Sequence, residues 1–326
     1  MKAILVHEYG GPEVMRLEEM PTPEPTGTQV LVRVMAAGVN PVDTYLRSGN
    51  HAHAPKLPYT PGKDAAGVVE SVGDSVSRFQ VGDRVYTADS LTGAYAEYSL
   101  CEESQLGLLP EKTSFEEGAG VWTPYATSWR ALFEKAQVKT GETVLIHGAS
   151  GGVGIAAIQW AKNAGLNVIG TAGSDEGKRL VSEQGADLVV DHLSASPELA
   201  AESKRSIRDF TGGKGVNVVV EMLANANLLL DFDVLAMFGR IAVVGNRGTL
   251  EFNPRAAMTK DASILGLSLF NAPQPVRDEI HAAIYKGLSD GYLCPVVSRT
   301  FELADAPKAH REVIESRAQG KIVLVP

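Results

Sequence analysis

Apolar positions along this chain obey two different periods. In the first third the period is two. Residues 28–36 set Val30, Val32 and Val34 on one face, which predicts a half-buried strand. Residues 2–7 and 94–100 are further strand candidates, and the stretch GVVESVGDSVSRFQVGDRVYT alternates valine-rich runs with Gly73-Asp74 and Gly82-Asp83 turns. Gly10-Gly11-Pro12 is a turn, PTPEP at 21–25 is an extended connector, and Asn40-Pro41-Val42-Asp43 opens a turn or short helix that runs to Gly49. Many short strands with frequent turns predict a barrel-like β domain.

From about Pro124 the pattern changes to apolar runs separated by helical periods. A helix is expected over 124–135. Strands follow at 144–146, Asn167–Thr171, 188–191, Val216–Glu221, 240–244 and 264–269. Helices are expected over 175–184, Pro197–Phe210 and about 275–288, with Gly185, Gly212-Gly213 and Gly291 as stops. Strands alternating with helices predict a doubly wound parallel sheet. After Gly291 the chain returns to β character at 296–301 and 322–325.

The stretch TVLIHGASGGVGIAAIQWAKNAG, from Thr143 to Gly165, carries the chemistry. It reads as strand, glycine turn and helix. Backbone N–H groups at a helix N-terminus receive a pyrophosphate when nothing larger than hydrogen blocks the approach. Gly151 supplies that approach, and Gly154 lets the helix lie on its strand. Aligned this way, the first glycine of the usual G-x-G-x-x-G fingerprint is Ala149. The second strand ends Gly170-Thr171-Ala172-Gly173-Ser174, without the acidic residue that binds a ribose 2′-hydroxyl in NAD enzymes. Gly173 leaves room for a 2′-phosphate, and Lys178, one turn into the next helix, offers it charge. Asp175 and Glu176 are repulsive neighbours, or favourable charges on the first turn of that helix. The choice is NADPH.

Composition narrows the class. The chain has 326 residues, enough for two domains with separate cores, and a net charge of −9, which disfavours a phosphate-backbone partner. Cys101 and Cys294 are the two cysteines, so no disulfide framework is expected. The first residues, MKAILVHEYG, hold too short an apolar run for a signal peptide, and no apolar segment has membrane length. The expectation is a cytoplasmic protein, with neither nucleic acid nor membrane as partner.

The pieces Ala37-Gly38-Val39-Asn40-Pro41-Val42, Tyr59-Thr60-Pro61-Gly62, Val81-Gly82-Asp83-Arg84-Val85, His147 to Gly154, Glu221-Met222-Leu223-Ala224-Asn225 and Gly245 to Thr249 span nearly the whole chain. Together they resemble the zinc-free quinone oxidoreductases of the medium-chain dehydrogenase/reductase family, and among them the zeta-crystallin type. The resemblance implies an α/β protein in which a GroES-like β-rich catalytic domain (1–123 and 292–326) is split around a Rossmann-type domain (124–291), with the active site in the cleft between them. It implies cofactor contacts at Tyr45, Ser150, Gly151, Gly152, Val153, Gly173, His192, Asn227, Val244, Gly245, Asn246, Arg247, Leu267, Ser268 and Leu269, with Lys178 added from the charge argument. Asn40 and Tyr45 would serve the nicotinamide and the substrate. Bland readings stand beside these: Tyr45 as a core tyrosine, Asn225 and Asn227 as helix caps, Tyr125 and Trp129 as helix-face core.

Zinc-dependent relatives carry a cysteine near position 40 and a histidine-glutamate pair after Pro61-Gly62. Here the residues are Asn40 and Lys63-Asp64. An ammonium does not ligate a metal while protonated, and His51 and His53 alone fall short of a ligand set, so no metal is expected. The activity implied is NADPH-dependent reduction of a quinone. The same site would suit reduction of an enone or 2-alkenal. A role of another class, as an NADPH-binding lens-type structural protein or an RNA-binding protein, also occurs among zeta-crystallin relatives. The resemblance further implies a homodimer or homotetramer, with the strand at 264–269 on a sheet edge.

Overall fold

The structure, a computed structural model, describes residues 1–315 and 319–326. The chain divides into two compact units. One comprises Met1–Thr123 and most of the chain from His281 onward; the other comprises Pro124–Ile280.

In the first unit β1 (Lys2–Val6) and β2 (Met15–Glu19) form a two-stranded antiparallel ribbon. Then come β3 (Gln29–Val39), α1 (Pro41–Arg47), β4 (Asp64–Val72), β5 (Arg84–Thr87), β6 (Tyr98–Glu102), β7 (Leu106–Leu108) and the short α2 (Phe115–Ala119). The half-buried strand expected at 28–36 is longer. Val30, Val32 and Val34 are buried as expected, and Leu31, Ala36 and Ala37 are buried too, while Arg33 is exposed and Met35 half-buried. The strand expected at 94–100 begins later, at Tyr98. Ala94, Tyr95 and Ala96 are fully buried but bond outside the ladder, Ala94 N–H to Pro61 O and Tyr95 O to Ile4 N–H.

The second unit opens within α3 (Trp122–Trp129), at Pro124, and the helix continues as a π-helical turn over Arg130–Lys135 where one regular helix was expected. There follow β8 (Thr143–Ile146), α4 (Gly152–Asn163), β9 (Asn167–Thr171), α5 (Asp175–Glu183), β10 (Leu188–Val190), α6 (Pro197–Phe210), β11 (Val216–Glu221), α7 (Ala224–Val234), β12 (Leu235–Val243), α8 (Arg255–Met258) and β13 (Ser263–Gly266). The strands form one parallel sheet in the order β10-β9-β8-β11-β12-β13. Strand order therefore reverses between β8 and β11, the place where open α/β sheets bind ligands. Local chemistry sets the helix starts: Ser174 Oγ accepts from Gly177 N–H at the head of α5, and Ser196 does the same for Leu199 N–H ahead of Pro197 in α6. The core between sheet and helices is Leu145, Ile169, Val219, Ile241, Leu228 and Phe232 with their neighbours. β13 is an open edge, and Ser263, Ile264 and Gly266 are exposed on it.

The chain returns to the first unit within α9 (Gln274–Asp290), at Ile280–His281, ahead of the Gly291 stop where the change was expected. The reason lies in His281. Its ring stacks on Trp122 at 4.6 Å, and its Nδ1 bonds the Tyr86 hydroxyl at 2.7 Å. β14 (Val297–Glu302), α10 (Ala306–Glu315) and β15 (Lys321–Val325) complete the fold. β15 joins β14 to β3, giving the sheet order β14-β15-β3-β4-β5-β7 with β6 also on β3. The core here is Ile4, Val6, Val34, Val39, Tyr95, Leu303, Ala309 and Leu324 among others.

Candidate functional site

The glycine turn is built by exclusion. Ala149 N–H bonds Thr171 O at 2.9 Å, and Gly148 N–H bonds the Thr171 hydroxyl at 3.2 Å, so the turn is tied to the end of β9. A Cβ on Gly154 would lie 2.5 Å from both Ala149 Cα and Gly148 O. Only hydrogen fits there, which is what lets α4 lie against the turn. The residue with positive φ is Gly148, at +53°, one place ahead of Ala149. The tight-turn glycine of the fingerprint is thus displaced by one residue, not missing. Gly151 caps α4 with no side-chain hydrogen bond. The first-turn N–H groups of Gly152, Val153 and Gly154 are therefore not capped by that residue's side chain, which suits an anion.

The remaining expected contacts in this unit share one feature: each follows closely on the C-terminal end of a parallel strand. Ser150 to Val153 follow β8, Gly173 follows β9, His192 follows β10, Asn227 follows β11, Val244 to Arg247 follow β12, and Leu267 to Leu269 follow β13. At the β9 corner, Thr171 Oγ1 meets His192 Nδ1 at 2.9 Å, and Lys178 Nζ pairs with Asp191 at 2.8 Å. The Lys178 charge is thus already partnered by a carboxylate that sequence reasoning did not weigh. Burial, then the neighbouring His147, pushes the His192 imidazole below its usual value and keeps it neutral. A Cβ on Gly173 would stand 3.0 Å from His192 Cδ2, so a side chain there displaces the ring.

Beyond β11, the Glu221 carboxylate accepts from Leu223 N–H and, at 3.1 Å, from Asn227 Nδ2. Its main-chain oxygen accepts from Val244 N–H at 2.8 Å. Gly245 passes so close to Met222 that a Cβ would lie 2.3 Å from Met222 O. Asn246 and Arg247 are pinned from the other side: Asn225 N–H donates to Asn246 Oδ1 at 3.0 Å, and Arg247 N–H to Asn225 Oδ1 at 2.9 Å. The Asn225 side chain therefore holds Arg247 N–H and that of Asn227 holds the Glu221 carboxylate, so they are not simple caps. Ser268 O is held by Arg130, from the π-helical turn, at 2.5 Å.

In the other unit Asn40 caps α1 and forms a capping box with Asp43. Its Nδ2 donates to Asp64 Oδ2 at 3.0 Å, and its Oδ1 accepts from Lys321 Nζ at 2.5 Å. Thr123 Oγ1 donates to Asp64 Oδ1 at 2.7 Å, and Lys321 also lies 3.3 Å from Asp64. A buried ammonium thus stands between Asn40 and Asp64. That donor set suits a cation already supplied by the chain and does not suit a divalent metal. Lys63 turns away to pair with Asp89 at 2.5 Å. Tyr45, on α1, is half-buried rather than core.

Behind Asn40 runs a chain of buried polar groups. Tyr95 OH donates to Asp43 Oδ2 at 3.2 Å and meets His310 Nε2 at 3.1 Å, and His310 Nδ1 meets Arg47 at 3.0 Å. Burial raises the Asp43 carboxyl to about 6, and burial together with Arg47 lowers His310 to about 3.

A further cluster went unread in the sequence. His147, Glu221 and Asp231 are buried with their ligand atoms within 4.8 Å of one another, the group of metal-ligating type found among the described residues. Its signal is visible only with the register. Ile146 pairs with Val220 across β8 and β11, which sets His147 beside Glu221.

Comparisons with known proteins agree along the whole chain. Residues 26–137 match the alcohol dehydrogenase GroES-like domain model and residues 152–284 the zinc-binding dehydrogenase model. Curated quinone oxidoreductases from Homo sapiens and Sus scrofa are 45% and 48% identical, each over 100% of this chain and 98% of their own length. That of Pseudomonas aeruginosa is 36% identical over 100% of this chain and 99% of its own. Among solved structures, Escherichia coli quinone oxidoreductase complexed with NADPH superposes with a TM-score of 0.88 at 31% identity, and a mycobacterial protein complexed with NADPH with 0.90 at 32%. Both matches cover 100% of each chain. With the split GroES-like unit, the parallel sheet and the glycine turn described above, this chain belongs to the quinone oxidoreductases of the medium-chain dehydrogenase/reductase family.

Proposed function

We propose that this protein is an NADPH-dependent quinone reductase that works without a metal. The carrying observation is that Ser150 to Val153, Gly173, His192, Asn227, Val244 to Arg247 and Leu267 to Leu269 all lie just past the C-terminal ends of the parallel strands. The two relatives solved in complex with NADPH support the choice of cofactor. When bound, NADPH supplies the hydride.

The chain's own part is binding, orientation and polarisation. The N–H groups that open α4 receive the pyrophosphate, and Gly245 gives a close backbone approach. Gly173, with no carboxylate, leaves the ribose 2′ position open to a phosphate, with Lys178 and His192 at the same corner. Asn40 is fixed by Lys321 and Asp64 and presents a rigid N-terminus of α1. Tyr45 donates a hydrogen bond to the acceptor oxygen, and the reduced oxygen takes its proton from water. The protein is a cytoplasmic homodimer joined through the exposed β13 edge. No helix among the described residues is long and apolar enough to cross a membrane.

The test is a panel of quinones and of enones or 2-alkenals, each with NADPH and with NADH. Faster turnover of quinones with NADPH is expected. Turnover of enones alone would assign the site to alkene reduction. NADPH binding without turnover of either class would leave a binding protein.

A further inference from the structure

Glu221 and Asp231 have fully buried side chains, and each keeps one oxygen, Oε2 and Oδ2, with no hydrogen-bond partner among the described residues. His147 Nε2 lies 2.8 Å from Asp231 Oδ1 and 3.5 Å from Glu221 Oε2, while its Nδ1 is buried and unpartnered. An unpartnered lone pair costs less than an unpartnered N–H. The imidazole proton therefore sits on Nε2 and donates to Asp231. Two ionised carboxylates beside a neutral imidazole would leave two negative charges out of water, which proteins avoid by keeping a proton.

We propose that Glu221 and Asp231 share one proton and, with the His147 imidazole, form a positioning element that locks three cofactor-binding segments together. This rests on the NADPH reading above. The shared proton gives both orphan oxygens a partner. It also leaves Glu221 Oε1 to accept from Leu223 N–H and Asn227 Nδ2, which sets the start of α7. The Glu221 main-chain oxygen holds Val244 N–H and Gly245 N–H, which sets the exit of β12. His147 begins the glycine turn, and its N–H bonds Val220 O. Glu221 thus sets α7 through its carboxyl and the Val244–Gly245 corner through its main chain, with the trio's imidazole at the start of the phosphate turn. Burial holds both carboxyls well above the ordinary carboxylate range and the imidazole below its own, in the direction this arrangement needs. The titratable groups facing the trio are its own members, with His192 beyond His147 and Asp191 and Lys178 beyond that ring.

The test reads the proton and the cofactor separately, in the full chain. Infrared spectra of the protein without cofactor at about pH 6.5 should contain a protonated-carboxyl C=O band that disappears in the Glu221→Gln/Asp231→Asn double variant; the comparison removes any band from Asp43. NADPH dissociation constants, measured by fluorescence, should rise about tenfold between about pH 6.5 and 8.5 as the pair loses its proton. Asp231→Asn keeps a permanent hydrogen for Glu221 Oε2 and should remove that slope while affinity at the lower pH stays within about threefold of the parent. Asp231→Leu, with folding checked by circular dichroism, should bind at least about tenfold weaker at both pH values. A wild-type band unchanged in the double variant overturns the shared proton. So does a stoichiometric divalent ion bound to the trio and lost in Asp231→Asn. A pH slope that persists in Asp231→Asn overturns the positioning role alone. No NADPH binding at any pH overturns the cofactor reading, and the positioning role with it, while the band still reports on the proton.

Discussion

Two predictions belong to single residues, Tyr45 and Asp43. Tyr45 is half-buried on α1, and the proposed reading has its hydroxyl orient and polarise the acceptor. If it only orients, Tyr45→Phe should lower kcat about tenfold, roughly 1.4 kcal/mol of barrier. A loss on the order of a thousandfold in stopped-flow turnover would make it a general acid. Asp43 gives a second expectation. Its carboxyl moves from 3.8 to about 6 on folding, chiefly through burial. Below the unfolded value both states are protonated, and the group costs nothing. Between the two values the unfolded chain has lost the proton and the folded chain has kept it, so folded stability falls as pH rises, by about 3 kcal/mol once pH passes the folded value. An amide in place of this carboxyl carries no such charge. The stability of Asp43→Asn relative to the parent should thus improve by about that amount between about pH 4 and 7, measured by urea unfolding. The opposing trend of His310, whose depressed value makes the fold gain stability as pH rises from about 3, is common to both proteins and drops out of the difference. A difference that does not change with pH would mean Asp43 ionises normally. None of the links Asp43–Tyr95–His310–Arg47 was legible in the sequence, because β-sheet packing and α10 bring together residues far apart in the chain.

At the scale of elements, the sequence was most readable where one face or one run carries the apolar signal. β9, α6 and β11 have the bounds their residues predict, since Gly, Pro and Ser mark the ends. α7 was anticipated only through its cap candidates, without bounds, and α10 was not read. In α7 buried Leu228 stands beside exposed Leu229, so no single stripe announces the helix. In α10 Pro307 argues against a helix, although it falls in the first turn, where the ring is tolerated. The glycine turn was legible in its role but not in its geometry: Gly148 carries the positive φ that the fingerprint assigns to position 149. The most exacting contact there is at Gly154. A methyl group would meet Ala149 Cα and Gly148 O at 2.5 Å, and both are backbone atoms that cannot rotate away. Gly154→Ala should therefore push α4 off the turn, lowering stability by about 1–3 kcal/mol and weakening NADPH more than it changes kcat at saturation. Thermal unfolding and NADPH titration check this. An unchanged dissociation constant would show that the N-terminus of α4 is not where the phosphate binds.

Assembly is argued at the scale of the whole molecule. Both units were legible as fold classes, because a period of two and a strand–helix alternation each occupy a continuous stretch. What the sequence left open was whether the last strand of the parallel sheet is covered. It is not: β13 ends the sheet, and Ile264 on it is 39% exposed. Nearby on β12 Met237 and Phe238 are 53% and 68% exposed, and Met258, at the end of α8, is 71% exposed. Phe238 is held in a positive-φ conformation by the bond from its N–H to Lys260 O, so the backbone itself presents its ring outward. A parallel sheet edge with unpaired main-chain groups and large apolar side chains around it suits the proposed pairing with a second copy of this chain. The expected outcome is a dimer of about twice the 34.6 kDa chain mass by light scattering at micromolar concentration. Ile264→Lys places a charge at the centre of that edge without altering the residues of the glycine turn. It should shift the protein toward monomer, with NADPH binding retained. A wild-type protein that scatters as a monomer, or a lysine variant that remains dimeric, would move the interface away from β13.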